Sequence, residues 1–262
     1  MRIQKEVQKM TIPRLGMVKV GQIAVNKNGK EYPTSLGHFR FTSPEESRVE
    51  KLHQMFGPEP TKIPVTFYSD DPGEVCAQMF ELRDVAGKLA VYGDGKNFWE
   101  STPTGWEQFT DNGDQDKCAA MIAKYSNEKH KASYRETLYL RFIILGFTEF
   151  GYFEFRTMGK DTSIPNIIGV FDRVLEMTGG RVTMVPFDLT VVKHKSERAN
   201  ANRQYPVVSL VCNMDTDHLE MIEGTAGAIK GLITPDKLDA VKQLAAPSSE
   251  KEEIEEAQIV EE

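Results

Sequence analysis

Arginines and aromatic residues alternate at three places in the chain: His38-Phe39-Arg40-Phe41, Tyr139-Leu140-Arg141-Phe142 and Tyr152-Phe153-Glu154-Phe155-Arg156. A guanidinium offers a planar fork of donors to carboxylates and phosphates, and an aromatic ring offers a rigid anchor or a stacking surface. On a strand, every second ring could stack on a base while an arginine meets a phosphate, or the same groups could grip a protein partner. Arg40, Arg141 and Arg156 are the candidate charged donors, and Phe39 and Tyr152 the candidate aromatic anchors, all expected at exposed strand or loop positions. Aromatic residues also fill strand cores, so each ring has a structural role available to it.

Catalytic chemistry finds less to work with. The five histidines and three cysteines are scattered, with no Cys-x-x-Cys or His-Glu-x-x-His spacing. Cys118 and His130 are twelve apart in a polar stretch and form no local ligand set. Gly93-Asp94-Gly95-Lys96 lacks the spacing of a phosphate loop and reads as a hairpin turn. Asp70-Asp71-Pro72-Gly73 also reads as a turn, although paired carboxylates on a loop can hold a hard cation. No Gly-x-Ser-x-Gly elbow occurs. The expectation is a binding protein with no catalytic residues, no metal and no cofactor.

Charge is distributed unevenly around this body. Residues 1–40 carry a net +6, residues 249–262 a net −6, and the whole chain −7. Like-charged blocks repel and bury little, so both ends are expected to be extended, the acidic one disordered. The expected organisation is a basic arm over 1–34, an α+β body over 35–246 with a subdomain split near 110–136, and an acidic tail over 247–262. No apolar run approaches the roughly 20 residues that span a bilayer, and Met1–Glu6 contains no apolar signal core. Three widely spaced cysteines are no disulfide framework. A cytoplasmic protein is expected.

The elements that would position the arginine–aromatic strings follow from periodicity. Alternating or apolar runs predict strands at 36–42, 63–68, 89–92, 97–99, 106–109, 138–145, 151–157, 182–192 and 207–212. Residues 74–82 fit either strand or helix. Ser43 with Glu46 reads as a capping box for a helix ended by Gly57-Pro58. Ser163 reads as the cap of a helix over 164–177, and Thr234 as the cap of one running to about Ala245. Residues 110–136 read as a long polar loop with one helical turn, and 193–204 as a polar connection of net charge +3. The fold class is α+β: mostly antiparallel sheet with a few packed amphipathic helices.

Several of these strings, taken in order, resemble the phage and mobile-element recombination directionality factors that accompany large serine integrases. They are Gly37-His38-Phe39-Arg40-Phe41-Thr42, Met55-Phe56-Gly57 leading to Ile63-Pro64-Val65, Tyr92-Gly93-Asp94-Gly95, Gly151 to Thr157 followed by Ser163-Ile164, and Phe187-Asp188-Leu189. The resemblance implies a partner, a large serine integrase bound to DNA, and an action that turns it from integration to excision in the bacterial host cell. It implies no catalytic residue. Many such proteins carry a cysteine cluster in the middle loop; here that loop holds only Cys118, so no metal site carries over. The alternatives are a single-stranded DNA-binding protein of phage replication or recombination and, behind it, a metal-binding hydrolase. Direct contact with nucleic acid and the oligomeric state are left open by these residues.

Overall fold

The structure is a computed structural model that describes residues 12–222, apart from 28, 111–115, 129, 184, 196–203 and 220. Its elements are β1 (Arg14–Val25), β2 (Glu31–Thr42), α1 (Glu46–Phe56), β3 (Lys62–Thr66), α2 (Pro72–Val75), β4 (Cys76–Arg83), β5 (Leu89–Gly93), β6 (Asn97–Thr102), β7 (Gly105–Thr110), α3 (Asp116–Tyr125), β8 (Arg135–Ile144), β9 (Tyr152–Thr157), α4 (Ser163–Met177), β10 (Phe187–Lys195) and β11 (Gln204–Cys212). The architecture is α+β and mostly antiparallel. The expected helix over 234–245 and the acidic tail lie outside the described residues.

Strand β8 is the branch point of the sheet. Its first half pairs with β4 on one edge and its middle with β9 on the other, while its last residues, Ile143 and Ile144, pair with β3. One path runs from β8 through β4, β5 and β6 to β7, and another through β3 and β10 to β11. On the remaining edge β9 pairs with β1 in parallel, and β1 pairs with β2.

The period-2 pattern of β8 and β9 explains this central position. Leu138, Leu140, Phe142 and Ile144 point to one side, joined by Phe153 and Phe155, and all six are buried. They meet Phe39, Phe41, Leu52 of α1 and Ile164, Ile167, Phe171 and Val174 of α4 in the main core. A smaller cluster around Leu82, Val91 and Phe98 is covered by Met121, Ile122 and Tyr125 of α3.

Several expectations change. Residues 14–25, read within a basic arm, form a long strand with Leu15 and Val18 in the core. Two register shifts, at Arg14/Gly16 and Lys19/Gly21, interrupt its alternation and hide it from a periodicity search. Gly16 is what lets it fit: a Cβ there would stand 2.4 Å from the Thr42 carbonyl oxygen and 3.0 Å from the Phe153 ring.

The region 110–136 holds the ten-residue helix α3, and 74–82 divides into α2 and β4. Neither expected serine cap acts as one. The Ser43 hydroxyl donates to the Leu15 carbonyl at 2.7 Å, and α1 begins after Glu45. The Ser163 hydroxyl accepts from the Val208 amide at 2.9 Å, inside α4 rather than ahead of it. Ser43, just after β2, is thereby tied to β1, and Ser163 ties α4 to β11. Among the described residues of 182–186, expected as strand, only Thr183 is bridged, and β10 starts at Phe187.

Candidate partner-binding face

The face of the sheet opposite the core is built from the residues between the buried ones. On β9 these are Tyr152, Glu154 and Arg156; on β8, Tyr139 and Arg141. Cross-strand register sets Arg141 opposite Glu154 and Tyr139 opposite Arg156. Parallel pairing brings Met17 beside Glu154, and the β1–β2 pairs Met17–Thr42 and Lys19–Arg40 extend the same face. Five cations thus share this side: Arg14, Lys19, Arg40, Arg141 and Arg156.

Glu154 organises three of them. Its carboxylate is 2% exposed, a costly position for a charge unless it is paired. Oε1 accepts from Arg156 Nε at 2.7 Å and lies 2.6 Å from Arg156 Nη2 and 3.3 Å from Arg14 Nη1. Oε2 accepts from Arg141 Nε at 3.2 Å. Arg141 Nη1 also donates to the Glu74 carbonyl at 3.0 Å, which fixes the orientation of its guanidinium. One negative charge therefore holds three positive ones, and the surplus faces outward.

The aromatic residues support the arginines. The Arg156 guanidinium lies 4.6 Å from the Tyr139 ring centre and that of Arg141 at 5.8 Å. Such stacking contributes about 0.5–1 kcal/mol at partly exposed sites. Tyr139 itself is buried beneath them. Half-buried Tyr152 packs against Tyr68, ring centres 5.7 Å apart. Burial raises the Tyr68 hydroxyl above its ordinary range, although the Arg141 charge pulls the other way.

Beside the cluster, past the last β1–β9 pair at Val18–Phe155, an open groove of about 670 Å³ separates β1 from the chain that follows β9. Lys19 and Arg156 stand on its wall, and Met17, Pro33, Met158 and Tyr205 are among its apolar lining. Among the described residues no carboxylate lines it.

Of the five residues expected to meet a partner, four lie on this face. Arg40 and Arg156 are exposed, while Arg141 and Tyr152 are half-buried. Phe39 is a correction. It is fully buried, edge-on to Phe155 at 6.4 Å, and cannot be a surface anchor. Alternation forbids Phe39 and Arg40, as neighbours on a strand, from sharing a face. Arg14, Lys19, Glu154, Tyr139 and Tyr68 escaped the sequence reading. For Glu154 the signal was present: in Tyr152-Phe153-Glu154-Phe155-Arg156, a glutamate sits with the polar set while both phenylalanines face the other way.

The other candidate chemistries resolve into structural roles. Asp94 Oδ1 accepts from the Lys96 and Asn97 amides at 2.8 and 2.7 Å, making the hairpin turn that the glycines suggested. Those bonds, led by Asn97, hold its carboxyl below the ordinary range. Asp70 Oδ1 accepts from the Val182 and Thr183 amides, each at 2.8 Å. Burial pushes this carboxyl up, but the two amide bonds outweigh that and hold it low. Asp71 caps α2 through Gly73. Both carboxylates of the pair thus bond to backbone amides. Cys76 is buried, and its thiol is pushed up to about 12, leaving it protonated and unreactive. Among the described residues no group of three or more His, Cys, Asp or Glu side chains is placed to hold a metal ion.

A sheet with one closed core face and one preorganised basic face is the frame of a binding protein. The sequence pattern of the Gp3-like recombination directionality factor-like family matches residues 15–213, and the chain belongs to that family. Proteins of this family are regulatory accessories of DNA recombination and not enzymes. No curated protein and no solved structure matches the chain. The matched span begins inside β1 and ends just after β11, so it contains the whole arginine cluster except Arg14. No described helix is long and apolar enough to cross a membrane.

Proposed function

We propose that this chain is a recombination directionality factor that binds a large serine integrase on DNA and switches it from integration to excision, in the cytoplasm of a bacterial host. The family match supports the recombination context. The observation that carries the reading further is the outward-facing arginine cluster on Glu154. Guanidiniums held in place by a buried carboxylate lose little freedom on meeting a partner, which lowers the cost of association. Switching direction requires only differential binding: the factor must hold the integrase arrangement competent for attL × attR more tightly than that for attP × attB. A preference of about 3 kcal/mol would shift that balance roughly 150-fold, without catalysis by the factor.

The test is recombination in vitro with a large serine integrase from the same genome and its attachment sites. Addition of the protein is expected to promote attL × attR and inhibit attP × attB. Absence of both effects would sink the proposal. The single-stranded DNA reading is less favoured by the geometry. On the arginine face, Tyr139 lies under the Arg156 guanidinium and Phe142, Phe153 and Phe155 are in the core, so few ring faces there are free to stack on bases.

A further inference from the structure

We infer that the groove between β1 and the segment after β9 is a docking site for this chain's own acidic segment, residues 249–262, which competes there with external partners. The inference takes the basic face as the partner-binding surface and concerns its regulation.

Three observations point to this occupant. The first is charge. Residues 249–262 contain seven glutamates against Lys251, whereas residues 1–248 together carry a net −1. Nearly all the excess negative charge of the protein is on this segment, whereas the described residues that line the groove include Lys19 and Arg156 and no carboxylate. The second is pattern. Ile254, Ile259 and Val260 interrupt the glutamates, and the groove alternates in kind, Lys19 and Arg156 standing among Met17, Pro33, Met158 and Tyr205. A purely polyanionic ligand would leave those apolar walls wet; this segment can cover them.

The third is reach. Leu219 and Ile222 pack against the main core, so the chain departs from a fixed point on the body. The 27 residues from there to 249 extend up to about 90 Å, and still about 65 Å if 234–245 is helical as its sequence suggests. A body of this size is about 45 Å across, so the segment can arrive at any face of it. Attachment through such a linker gives a local concentration of the order of 1 mM. A contact with a Kd of about 100 µM would then be closed roughly nine-tenths of the time, yet open to a stronger ligand.

The experiment uses the full chain in two forms: unaltered, and with all seven glutamates of 249–262 changed to Gln. A fluorescent peptide of residues 247–262 is titrated against each at low ionic strength. The peptide is expected to bind the Gln form about tenfold more tightly than the unaltered chain, whose attached segment occupies the groove. Lys19→Glu in the Gln form, with its thermal unfolding unchanged, is expected to weaken peptide binding at least tenfold, as is 0.5 M salt. Equal affinity for both forms, or indifference to Lys19→Glu, overturns the inference. So does a groove that takes an oligonucleotide of unrelated sequence but not the peptide. No integrase or attachment-site DNA is present, so a failure here is separate from a failure of the recombination assay.

Discussion

The two faces of strands β8 and β9 are made by alternate residues of the same two strands and hold together in opposite ways. On the inner face, Leu138, Leu140, Phe142, Phe153 and Phe155 are at most 1% exposed and rely on close packing alone. On the outer face, Tyr139, Arg141, Tyr152 and Arg156 are arranged around one carboxylate, and only Glu154 and Tyr139 are buried. The inner face tolerates no polar group without a partner; the outer one depends on a polar group that has three. Both are preorganised, but only the outer one leaves donors for another molecule. A rigid binding surface can therefore be made on an open sheet if a buried charge takes the place of the core.

Four substitutions test that contrast. Phe155→Ala removes a ring from the inner face and is expected to cost about 3–5 kcal/mol in urea unfolding, the largest effect of the set. Glu154→Gln keeps the shape but leaves Arg14, Arg141 and Arg156 facing one another. Since these arginines are partly exposed, a loss of about 2 kcal/mol is expected, below the cost of breaking a wholly buried pair. If Glu154→Gln is neutral, the claim that the carboxylate organises the outer face is wrong.

Asp70→Asn lies away from both faces and serves as a pH-sensitive reference. Its folded carboxyl titrates below the ordinary value of 3.8, so its stabilising contribution is full above that value and fades as pH falls through the lower folded one. A penalty of about 1.5 kcal/mol is expected at pH 7, disappearing in strong acid; a penalty that persists there would rule out the charged bonds to the Val182 and Thr183 amides. Smallest in stability is Arg156→Ala, which removes one of three cations from Glu154 and is expected to shift unfolding by less than about 1 kcal/mol. Its effect belongs to binding: support of attL × attR recombination should fall at least tenfold while the circular dichroism of the fold is unchanged.

Much of this frame was legible in the sequence wherever alternation ran without interruption. Strands β8, β9 and β11, the hairpin at Gly93-Asp94-Gly95 and helix α4 all follow from it. Strand β1 was hidden because its two register shifts break the period, and its lysine and arginine then read as part of an arm. The serine caps failed for a tertiary reason: Ser43 and Ser163 bond to Leu15 and Val208, residues far along the chain that no local pattern connects to them. The site divides similarly. Arg141, Tyr152 and Arg156 come from strands whose period is clear, and they do converge. Arg14 belongs to the cluster only because β1 lies parallel to β9, a pairing that no local spacing announces.

That parallel pairing also sets an order of events. Arg14 and Glu154 are 140 residues apart in the chain yet share a hydrogen bond at 3.3 Å. Loop closure over such a separation is slow, and few native contacts repay it until both strands are in place. As the chain leaves the ribosome, β1 is made first and must wait for β9 before its second edge is paired. The arginine cluster thus forms only once residues 14 to 156 have all been made and β9 has docked against β1. On the proposed reading, a partner that recognises the cluster would engage only chains in which β1 and β9 have already paired.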